Sequence, residues 1–385
     1  MNCFRYQVLL LGCFLTWFGQ PLFAQDSYLY VGTFTTFPDG KPTGSEGIYV
    51  YGFNSKTGKL DSIASTEGNV ASPGFIALSP DGQYLYCGSD ARTKGKGSVS
   101  AFLINADGSL AFINKQPSGG DNPIYVEPSS KNEFLYVANF LGSNFAIFEL
   151  NKGGSIGDRV LLEGLQGKGT DPKRQEQSHP HMVTQVPGTS QILLADFGTD
   201  KVILYDYSRQ RKLELKSQLD TTDKVIWPAS GPRHIAFHPN GKYFYLAEEM
   251  SGTVAIVSIS GGRMDLVGRV LAHDAETKGP YASADIHFSK DGRFLYVSNR
   301  GNENNIAIFK VDAKTGKLTP VGYQSTLGTM PRNFTIDPSG NFLLVANQNS
   351  GDVTVFKINH KTGLLSPTGY AVKIPQPTCL KMVRK

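Results

Sequence analysis

The sequence has 385 residues, of which 40% are hydrophobic and 18% are charged. This composition is too apolar and too weakly charged for a disordered chain, so a globular fold is expected. Lysine and arginine exceed aspartate and glutamate by 38 to 33, a formal net charge of +5 without a long basic run. The charge pattern therefore disfavours nucleic acid as a partner, because nucleic-acid binding needs a dense basic patch or stripe.

The first 24 residues are predicted to be a secretory signal peptide. Arg5 precedes an apolar stretch from Val8 to Phe18, and a cut is expected before Gln25. The mature protein is therefore expected to be exported, to the periplasm or to the extracellular space. Residues Leu10–Cys13 resemble a lipoprotein cleavage box, but the apolar segment continues past Cys13, so simple export is favoured over a lipid anchor.

Residues 25–385 are predicted to form one domain without a transmembrane segment. No later stretch approaches the roughly 18 consecutive apolar residues that a membrane-spanning helix needs. The mature chain keeps only Cys87 and Cys379, which is too few for a disulfide framework, although a single bridge between them stays open. The oligomeric state stays open as well.

Seven similar units follow one another along the mature chain. Their equivalent positions recur at steps of 48 to 57 residues and are Tyr30, Tyr86, Tyr136, Leu193, Tyr245, Tyr296 and Leu344. Tight turns such as Ser79–Gly82 and His238–Gly241 precede these strands, and alternating segments such as Val99–Phe102 follow them. Four short strands per unit, without helical periodicity, predict an all-β chain of β-propeller blades, with a β-solenoid as the competing architecture.

The chain ends favour the propeller over the solenoid. Most units open with an inner strand that begins at a proline, as at Pro73 and Pro232, and the seventh copy of this strand is Pro377–Leu380 at the C-terminus. The strand that it should precede, Leu29–Thr33, lies at the N-terminus. One blade is therefore expected to be split between the two ends, and their pairing would close a ring of seven blades and remove its exposed edges.

Charged residues concentrate at two repeat positions that should face the central channel. The position after the opening proline is occupied by Gly74, Ile124, His181, Arg233, Ala284 and Arg332. The position four residues after the reference tyrosine is occupied by Phe34, Asp90, Phe140, Phe197, Glu249, Arg300 and Gln348. The neighbours of the first position add four further polar residues, His179, His234, Asp285 and His287.

Two interpretations fit this concentration of charge in the fourth to seventh units. Buried polar residues can pair with one another at a tight axis in a purely structural network. Three arginines (Arg233, Arg300 and Arg332) beside two acids and up to four histidines instead favour a site for an anionic substrate with a proton-transfer group. We favour the second interpretation for the group as a whole, while each single residue fits either one.

Three other motifs carry less weight. The segment Gly153–Gly157 matches a nucleophile-elbow string but lies in an outer turn without the strand-to-helix context that the motif requires. His179 and His181 could suggest a metal, but the proline between them and the absence of a nearby cysteine or carboxylate cluster make this a minority interpretation. The glycosylation pattern Asn333–Thr335 falls on an inner strand. No metal and no cofactor are predicted.

The segments Gly231–His234, Ala284–His287 and Pro331–Phe334 resemble those of the seven-bladed lactonase family. That family includes propeller-type bacterial 6-phosphogluconolactonases and is similar to the fungal carboxymuconate-lactonising enzymes. The likeness covers essentially the whole mature chain, and it implies a seven-bladed propeller whose activity opens or closes a lactone ring.

By motif, the resemblance assigns catalytic roles to His179, Arg233, Glu249 and Arg300. Glu248 stands where the related phosphogluconolactonases carry Asn, so two adjacent acids compete for one role, and the repeat register favours Glu249. The expected mechanism is hydrolysis of a sugar-acid lactone. Glu249 would activate a water molecule, and Arg233 and Arg300 would stabilise the oxyanion.

The remaining candidates complete this hypothesis. His179 or His181 would protonate the leaving ring oxygen, and Arg332 would hold the distal groups of the substrate. His234, Asp285 and His287 are further candidates for substrate binding. Two alternatives stay open, namely a non-catalytic exported propeller that binds a glycan or a protein, and a cycloisomerase acting on a muconate-like diacid. An exported protein would not meet 6-phosphogluconolactone of the cytoplasm, so the identity of the lactone is open.

Overall fold

The computed structural model describes residues 25–68, 70–89, 97–207, 211–221 and 229–385. Every regular element in these ranges is a β-strand, and the strands form seven four-stranded antiparallel sheets. Each sheet is one blade of a closed ring, which confirms the predicted seven-bladed β-propeller and rules out the solenoid. The predicted signal peptide and Asp90 lie outside the described residues. No helix of the described part is long and apolar enough to cross a membrane.

The strands follow the predicted order in each blade. Blade 1 contains β1 (Ser27–Thr33), β2 (Tyr49–Phe53) and β3 (Leu60–Ser65). Blade 2 contains β4 (Pro73–Leu78), β5 (Tyr84–Ser89), β6 (Ser98–Ile104) and β7 (Leu110–Pro117). Blade 3 contains β8 (Pro123–Pro128), β9 (Phe134–Asn139), β10 (Asn144–Leu150) and β11 (Ile156–Gly164). Blade 4 contains β12 (Pro180–Gln185), β13 (Gln191–Asp196), β14 (Lys201–Tyr207) and β15 (Leu213–Asp220).

The second half of the chain repeats this arrangement. Blade 5 contains β16 (Pro232–Phe237), β17 (Tyr243–Glu248), β18 (Thr253–Ser260) and β19 (Arg263–Leu271). Blade 6 contains β20 (Ser283–Phe288), β21 (Phe294–Asn299), β22 (Asn305–Val311) and β23 (Leu318–Ser325). Blade 7 contains β24 (Pro331–Ile336), β25 (Phe342–Asn347), β26 (Asp352–Ile358) and β27 (Leu365–Lys373). The last strand, β28 (Pro377–Arg384), returns to blade 1 as its innermost strand.

The two chain ends close the ring as the sequence predicts. Strand β28 pairs antiparallel with β1, with Ser27 opposite Arg384 and Gly32 opposite Cys379. The innermost strands contact one another in the order β4, β8, β12, β16, β20, β24, β28 and back to β4. The ladder between β1 and β28 therefore removes the open edges that an unclosed ring of blades would expose.

Burial falls from the centre of each blade to its rim. All residues of β21 and β25 are buried, whereas every residue of the outermost strands β7 and β15 is exposed or half-buried. Buried tyrosines also join neighbouring blades, because the Tyr245 hydroxyl donates to the Gly316 carbonyl at 2.7 Å and the Tyr296 hydroxyl donates to the Gly363 carbonyl at 2.9 Å. These bonds satisfy phenol groups that burial would otherwise leave unpaired.

Cys87 and Cys379 do not form a bridge with each other. Cys87 and Cys379 are both free and buried. Burial raises the pKa of the Cys87 thiol to about 12 and that of the Cys379 thiol to about 11. Both side chains therefore remain protonated near neutral pH and act as small apolar groups in the packing between strands.

Candidate active site at the channel mouth

A β-bulge at the start of each innermost strand positions the first set of channel residues. In blade 5, Pro232 pairs with Glu248 and His234 pairs with Ala247, so Arg233 is the extra residue between them. The same shift in the other blades leaves Thr378, Gly74, Ile124, His181, Arg332 and the Ala284–Asp285 pair at this position. A bulge redirects side chains, and we call these residues the bulge ring. All of them except the Ala284–Asp285 pair line one cavity at the channel mouth.

A second set of residues lies beside the bulge ring. In each case the residue that follows the second strand donates its backbone N–H to the carbonyl of the residue just before the innermost strand, as Glu249 does to Gly231 at 2.8 Å and Arg300 to Ala282 at 3.1 Å. Phe34, Phe140, Phe197 and Gln348 make the equivalent bond in their own blades. Both repeat positions singled out in the sequence therefore meet at one end of the channel.

Gly231, just before β16, has a backbone conformation and a packing environment that only glycine tolerates. Its φ is +66°, and a Cβ atom there would lie 2.8 Å from the Phe197 ring and 2.9 Å from the Met250 side chain. A side chain at this position would meet both strain and collision, so glycine is the residue that permits blade 5 to place Arg233 in the channel.

Glu249 is the centre of a buried charge cluster. Its Oε2 lies 2.6 Å from Arg300 Nη2 and 3.1 Å from Arg233 Nε, and its Oε1 accepts a 2.7 Å hydrogen bond from Arg174 Nη2. Burial alone would raise the pKa of Glu249, but the charges of Arg300, Arg233 and Arg174 outweigh it and hold the pKa below its usual range. Glu249 is therefore an ionised carboxylate that holds three guanidinium groups.

Arg233 links this cluster to the cavity. Its Nη1 donates to the Ala284 carbonyl at 2.5 Å, whereas its Nε–H finds no directed acceptor within the described residues, so the contact with Glu249 is ionic rather than a well-aligned hydrogen bond. Burial and the neighbouring charge of Arg300 lower the pKa of Arg233, and Glu249 opposes this effect. A buried arginine that lines a cavity is suited to stabilise a negative charge that forms on a substrate.

A small cavity of about 10 Å³ lies beside Arg233. The polar side chains that line it include His181, His234, Arg332 and Asn333, and Phe34 and Phe75 supply apolar wall. His181 is buried, and its Nδ1 has no hydrogen-bond partner among the described residues. Burial and the charge of Arg233 lower the pKa of His181 well below its usual value, so its imidazole is neutral near pH 7. The cavity therefore combines cationic and neutral hydrogen-bonding groups.

The family follows from the match of the whole propeller. A family model described as "Lactonase, 7-bladed beta-propeller" matches residues 28–382. The chain belongs to this family.

Known lactonases of the family are similar to this chain along nearly its full length. It is 36% identical over 324 residues to the 6-phosphogluconolactonase of Formosa agariphila, covering 84% of this chain and 90% of the relative. It is 32% identical over 361 residues to the 6-phosphogluconolactonase of Bacillus subtilis, covering 92% and 98%. The solved periplasmic gluconolactonase of Pseudomonas aeruginosa is 30% identical, with a TM-score of 0.83 and coverage of 93% of this chain and 99% of that chain.

Three of the residues that the lactonase resemblance singles out, Arg233, Glu249 and Arg300, meet in one cluster, but His179 lies apart from it. Its ring stacks on Phe140 with centroids 4.5 Å apart, and its Nδ1 and Nε2 lie 2.9 Å from the Phe140 carbonyl and 3.2 Å from Glu176 Oε1. His179 does not line the cavity, whereas His181 does. Of the two histidines predicted as the proton donor, His181 is thus the one beside the cavity.

The two adjacent glutamates point to different partners. Glu248 Oε2 lies 2.9 Å from Arg269 Nε and also accepts from the Thr253 hydroxyl, so both contacts stay inside blade 5. Glu249 instead contacts Arg300 of blade 6 and Arg174 of the segment before blade 4. The geometry therefore puts Glu249, and not Glu248, beside the arginines of the channel.

The candidates for substrate binding fall into two groups. Arg332 and His234 line the cavity, and the Arg332 guanidinium carbon lies 5.4 Å from the centre of the Phe34 ring. Asp285 lies behind His234, and His287 lies two residues further along β20, with its Nε2 2.9 Å from Asp285 Oδ2. The structure therefore brings His234 and Arg332 to the cavity but leaves His287 outside its lining.

Sequence reasoning missed two residues of the site. Arg174 lies in an irregular segment without a counterpart in the other repeats, so no repeat position pointed to it. Asn333 was considered only as part of a glycosylation pattern, yet it lines the cavity and its Nδ2 donates to Asp285 Oδ2 at 2.5 Å. Its position after a bulge residue, equivalent to that of His234, is the signal that could have identified it.

The described residues contain no group of three or more His, Cys, Asp or Glu side chains placed to hold a metal ion.

Proposed function

We propose that this protein is an exported lactonase that hydrolyses a sugar-acid lactone at the bulge-ring cavity. The observation that carries the proposal is the pairing of buried Arg233 and Arg300 around Glu249, in which Arg233 also lines a cavity beside neutral His181. Guanidinium groups held in a buried site stabilise the oxyanion that develops when a lactone carbonyl is attacked. The names of the 6-phosphogluconolactonase relatives support the same reaction class.

The remaining groups of the site have complementary roles in this proposal. His181 has a ring nitrogen without a partner at the cavity and is suited to hydrogen-bond the ring oxygen that becomes the leaving alcohol. Arg332 binds the distal hydroxyl or anionic groups. Glu249 was expected to activate the water, but three guanidinium groups occupy its oxygens and lower its pKa, so its proton affinity is weak. We therefore assign Glu249 the role of holding Arg233 and Arg300 in place.

Export decides which lactone we propose as the natural substrate. A protein carried out of the cytoplasm by residues 1–24 would meet unphosphorylated aldonolactones rather than a cytoplasmic phosphorylated lactone. One relative is described as a periplasmic gluconolactonase, which supports this choice. The other candidate functions, a non-catalytic glycan- or protein-binding propeller and a muconate cycloisomerase, receive no specific support from the cavity.

A lactone screen tests the proposed activity. The purified mature chain is expected to open gluconolactone well above the spontaneous rate, which is measured in parallel in the same buffer. Gluconolactone 6-phosphate, further aldonolactones and a muconate-type diacid form the other arms of the screen. The proton released on ring opening gives the readout for the lactones, and the proton taken up on ring closure gives it for the diacid. Failure to accelerate any lactone would overturn the proposal, and turnover of the diacid alone would identify a cycloisomerase.

Arg174 is expected to determine preference for a phosphorylated substrate. Its half-exposed guanidinium lies over the Phe197 ring at 4.8 Å and reaches Glu249, so it is placed to bind a second anion at the mouth. Arg174→Ala is expected to raise KM for gluconolactone 6-phosphate about tenfold, the loss of roughly one charge-assisted hydrogen bond, with less than a twofold change for gluconolactone.

The adjacent exposed residue provides the control for this prediction. Lys173→Ala removes one positive charge from the same segment and is expected to leave both KM values unchanged. An equal rise in KM for both lactones in Arg174→Ala would show that Arg174 acts only through Glu249 and not on the phosphate.

A further inference from the structure

His234, which lines the cavity, forms an imidazole–carboxylate pair with Asp285 behind it. His234 Nδ1 lies 2.7 Å from Asp285 Oδ1 across the gap between blades 5 and 6, and both side chains are buried. The other oxygen of Asp285 accepts from Asn333 Nδ2 at 2.5 Å, from His287 Nε2 at 2.9 Å and from the Phe334 N–H at 3.2 Å. Asp285 is therefore an ionised acceptor in a fixed orientation.

This pairing sets the tautomer of His234. A carboxylate beside Nδ1 requires a hydrogen on that nitrogen, so Nε2 carries the lone pair of the neutral ring. Arg233 Nη1 lies at nearly equal distances from the two ring nitrogens, 3.3 Å from Nδ1 and 3.4 Å from Nε2. An atom so placed lies against the ring face rather than in line with either nitrogen. Among the described residues, Arg233 Nη1 is thus the one hydrogen-bond partner of Nε2, on a ring that lines the cavity.

The groups around His234 keep it neutral before reaction. Burial and the charge of Arg233 lower its pKa to about 3, although Asp285 acts in the opposite direction. The titratable or aromatic groups that face its ring from neighbouring strands are His181 at a centroid distance of 5.1 Å, Tyr125 at 5.6 Å and Phe75 at 5.9 Å, with His287 behind Asp285. His234 is therefore a neutral imidazole, able to accept a proton at Nε2, throughout the neutral range.

We propose that His234, oriented by Asp285, is the general base of lactone hydrolysis. This inference rests on the proposed function and adds to it the residue that activates the water, a role that the sequence had assigned to Glu249. The arrangement uses the same physical logic as other carboxylate–imidazole pairs, in which the carboxylate fixes the ring and stabilises the imidazolium that forms.

The reaction balances with water as the only co-reactant. The water oxygen forms a bond to the lactone carbonyl carbon as His234 Nε2 takes one of its protons, and the carbonyl π electrons become an oxyanion beside Arg233. When this intermediate collapses, the bond from the carbonyl carbon to the ring oxygen breaks. The ring oxygen leaves with the proton from His234, and the product is an open-chain hydroxy acid.

The same geometry explains how an imidazole with a low pKa could serve as the general base. Before reaction, the positive charge of Arg233 against the ring is a main cause of its low proton affinity, together with burial. The oxyanion that forms beside Arg233 compensates this charge, so the proton affinity of His234 rises as the proton is transferred. The general base is thereby strengthened in the transition state rather than in the ground state.

The test compares His234→Gln with substitution of another buried histidine of blade 5. His238 follows the other end of β16, is equally buried and does not line the cavity. His234→Gln is expected to lower kcat for the best lactone of the screen by about 10²-fold, as loss of a general base does, whereas His238→Gln keeps the wild-type kcat. Melting temperatures of both variants show whether each is folded.

The pH profile separates a catalytic role from a structural one. In the wild type, kcat/KM is expected to stay level from pH 7 down to about pH 5 and to fall only as His234 becomes protonated, well below the ordinary histidine pKa of about 6.5. His234→Gln should lose this acid limb, which a merely structural residue would retain. Asp285→Asn, which reverses the hydrogen-bond preference of the partner, provides a second variant with the same expectation if His234→Gln does not fold.

Each outcome is decisive. A wild type without lactonase activity would overturn the proposed function and this inference with it. An active wild type whose His234→Gln or Asp285→Asn variant is folded and either stays within about threefold of wild-type kcat or keeps the acid limb would overturn this inference alone. Loss of both activity and acid limb supports it.

Discussion

Replacing Arg233 with alanine is expected to lower kcat/KM for the lactone by about 10³-fold, the largest effect of any single change in this protein. Arg233 lines the cavity, contacts Glu249 and lies against His234. Its loss removes a donor to the oxyanion, for which about 10²–10³-fold is typical, and also disturbs the proton acceptor beside it. The measurement is steady-state hydrolysis corrected for spontaneous ring opening.

Two further variants make the Arg233 result interpretable. Arg233→Lys keeps a positive charge but loses the planar guanidinium, and we expect it to recover only a small part of the activity. Arg269→Ala removes another largely buried arginine of blade 5, which pairs with Glu248 away from the cavity. That variant should lose stability, but its folded fraction should keep the wild-type kcat/KM. Near-wild-type turnover by Arg233→Ala would show that Arg233 does not stabilise the oxyanion.

The architecture could be predicted from the sequence because its signals are local and repeated seven times. Turn residues, alternating strands and opening prolines each recur at a fixed place in the unit, and the misplaced seventh copy at Pro377–Leu380 revealed how the ring closes. The pairing of Ser27 with Arg384 confirms this closure. A single unit would have been ambiguous between a blade and a solenoid coil, because its pattern of four short strands fits both.

The bulges explain why the site itself was harder to predict. In a regular strand, Arg233 and His234 would point to opposite faces, so at most one of them could reach the cavity. The bulge in β16 breaks this alternation, and both side chains line the cavity. A bulge is defined by the pairing of two strands, and its residues carry no distinctive composition beyond the preceding proline.

Contacts between distant segments were beyond the reach of repeat comparison. Arg174 belongs to a segment that only one blade carries, and its partner Glu249 is 75 positions away along the chain. The different roles of Glu248 and Glu249 likewise depend on where their partners Arg269 and Arg300 lie in space. The repeat register identified Glu249 as a channel residue, but it could not show that three guanidinium groups occupy its oxygens.

The variant Glu249→Gln is expected to combine a large loss of activity with a large loss of stability. It leaves Arg174, Arg233 and Arg300 close together without the anion that they share. Removing one partner of a buried ion pair typically costs about 3–5 kcal/mol of unfolding free energy. We expect a loss in this range and a fall in kcat/KM of about 10²-fold, because the arginines that stabilise the oxyanion move apart.

Added anions and pH distinguish the anchoring role of Glu249 from a role as the base. Sulfate should raise the melting temperature of Glu249→Gln more than that of the wild type, since it replaces the missing charge. The folded-state pKa of Glu249 lies below its unfolded value, so its contribution to stability is present above about pH 4.3 and is lost as the pH falls through the folded-state pKa. The stability difference between wild type and variant should therefore narrow in acid.

Glu248→Gln is the matched control, because it removes the adjacent carboxylate from its pair with Arg269. Its melting temperature should fall, and sulfate should not raise it more than it raises that of the wild type. Its folded fraction should keep the wild-type kcat/KM. If Glu249 only holds the arginines, its Gln variant keeps the acid limb of kcat/KM, because His234 still takes the proton. Disappearance of that limb in Glu249→Gln, with the limb retained in His234→Gln, would return the role of general base to Glu249.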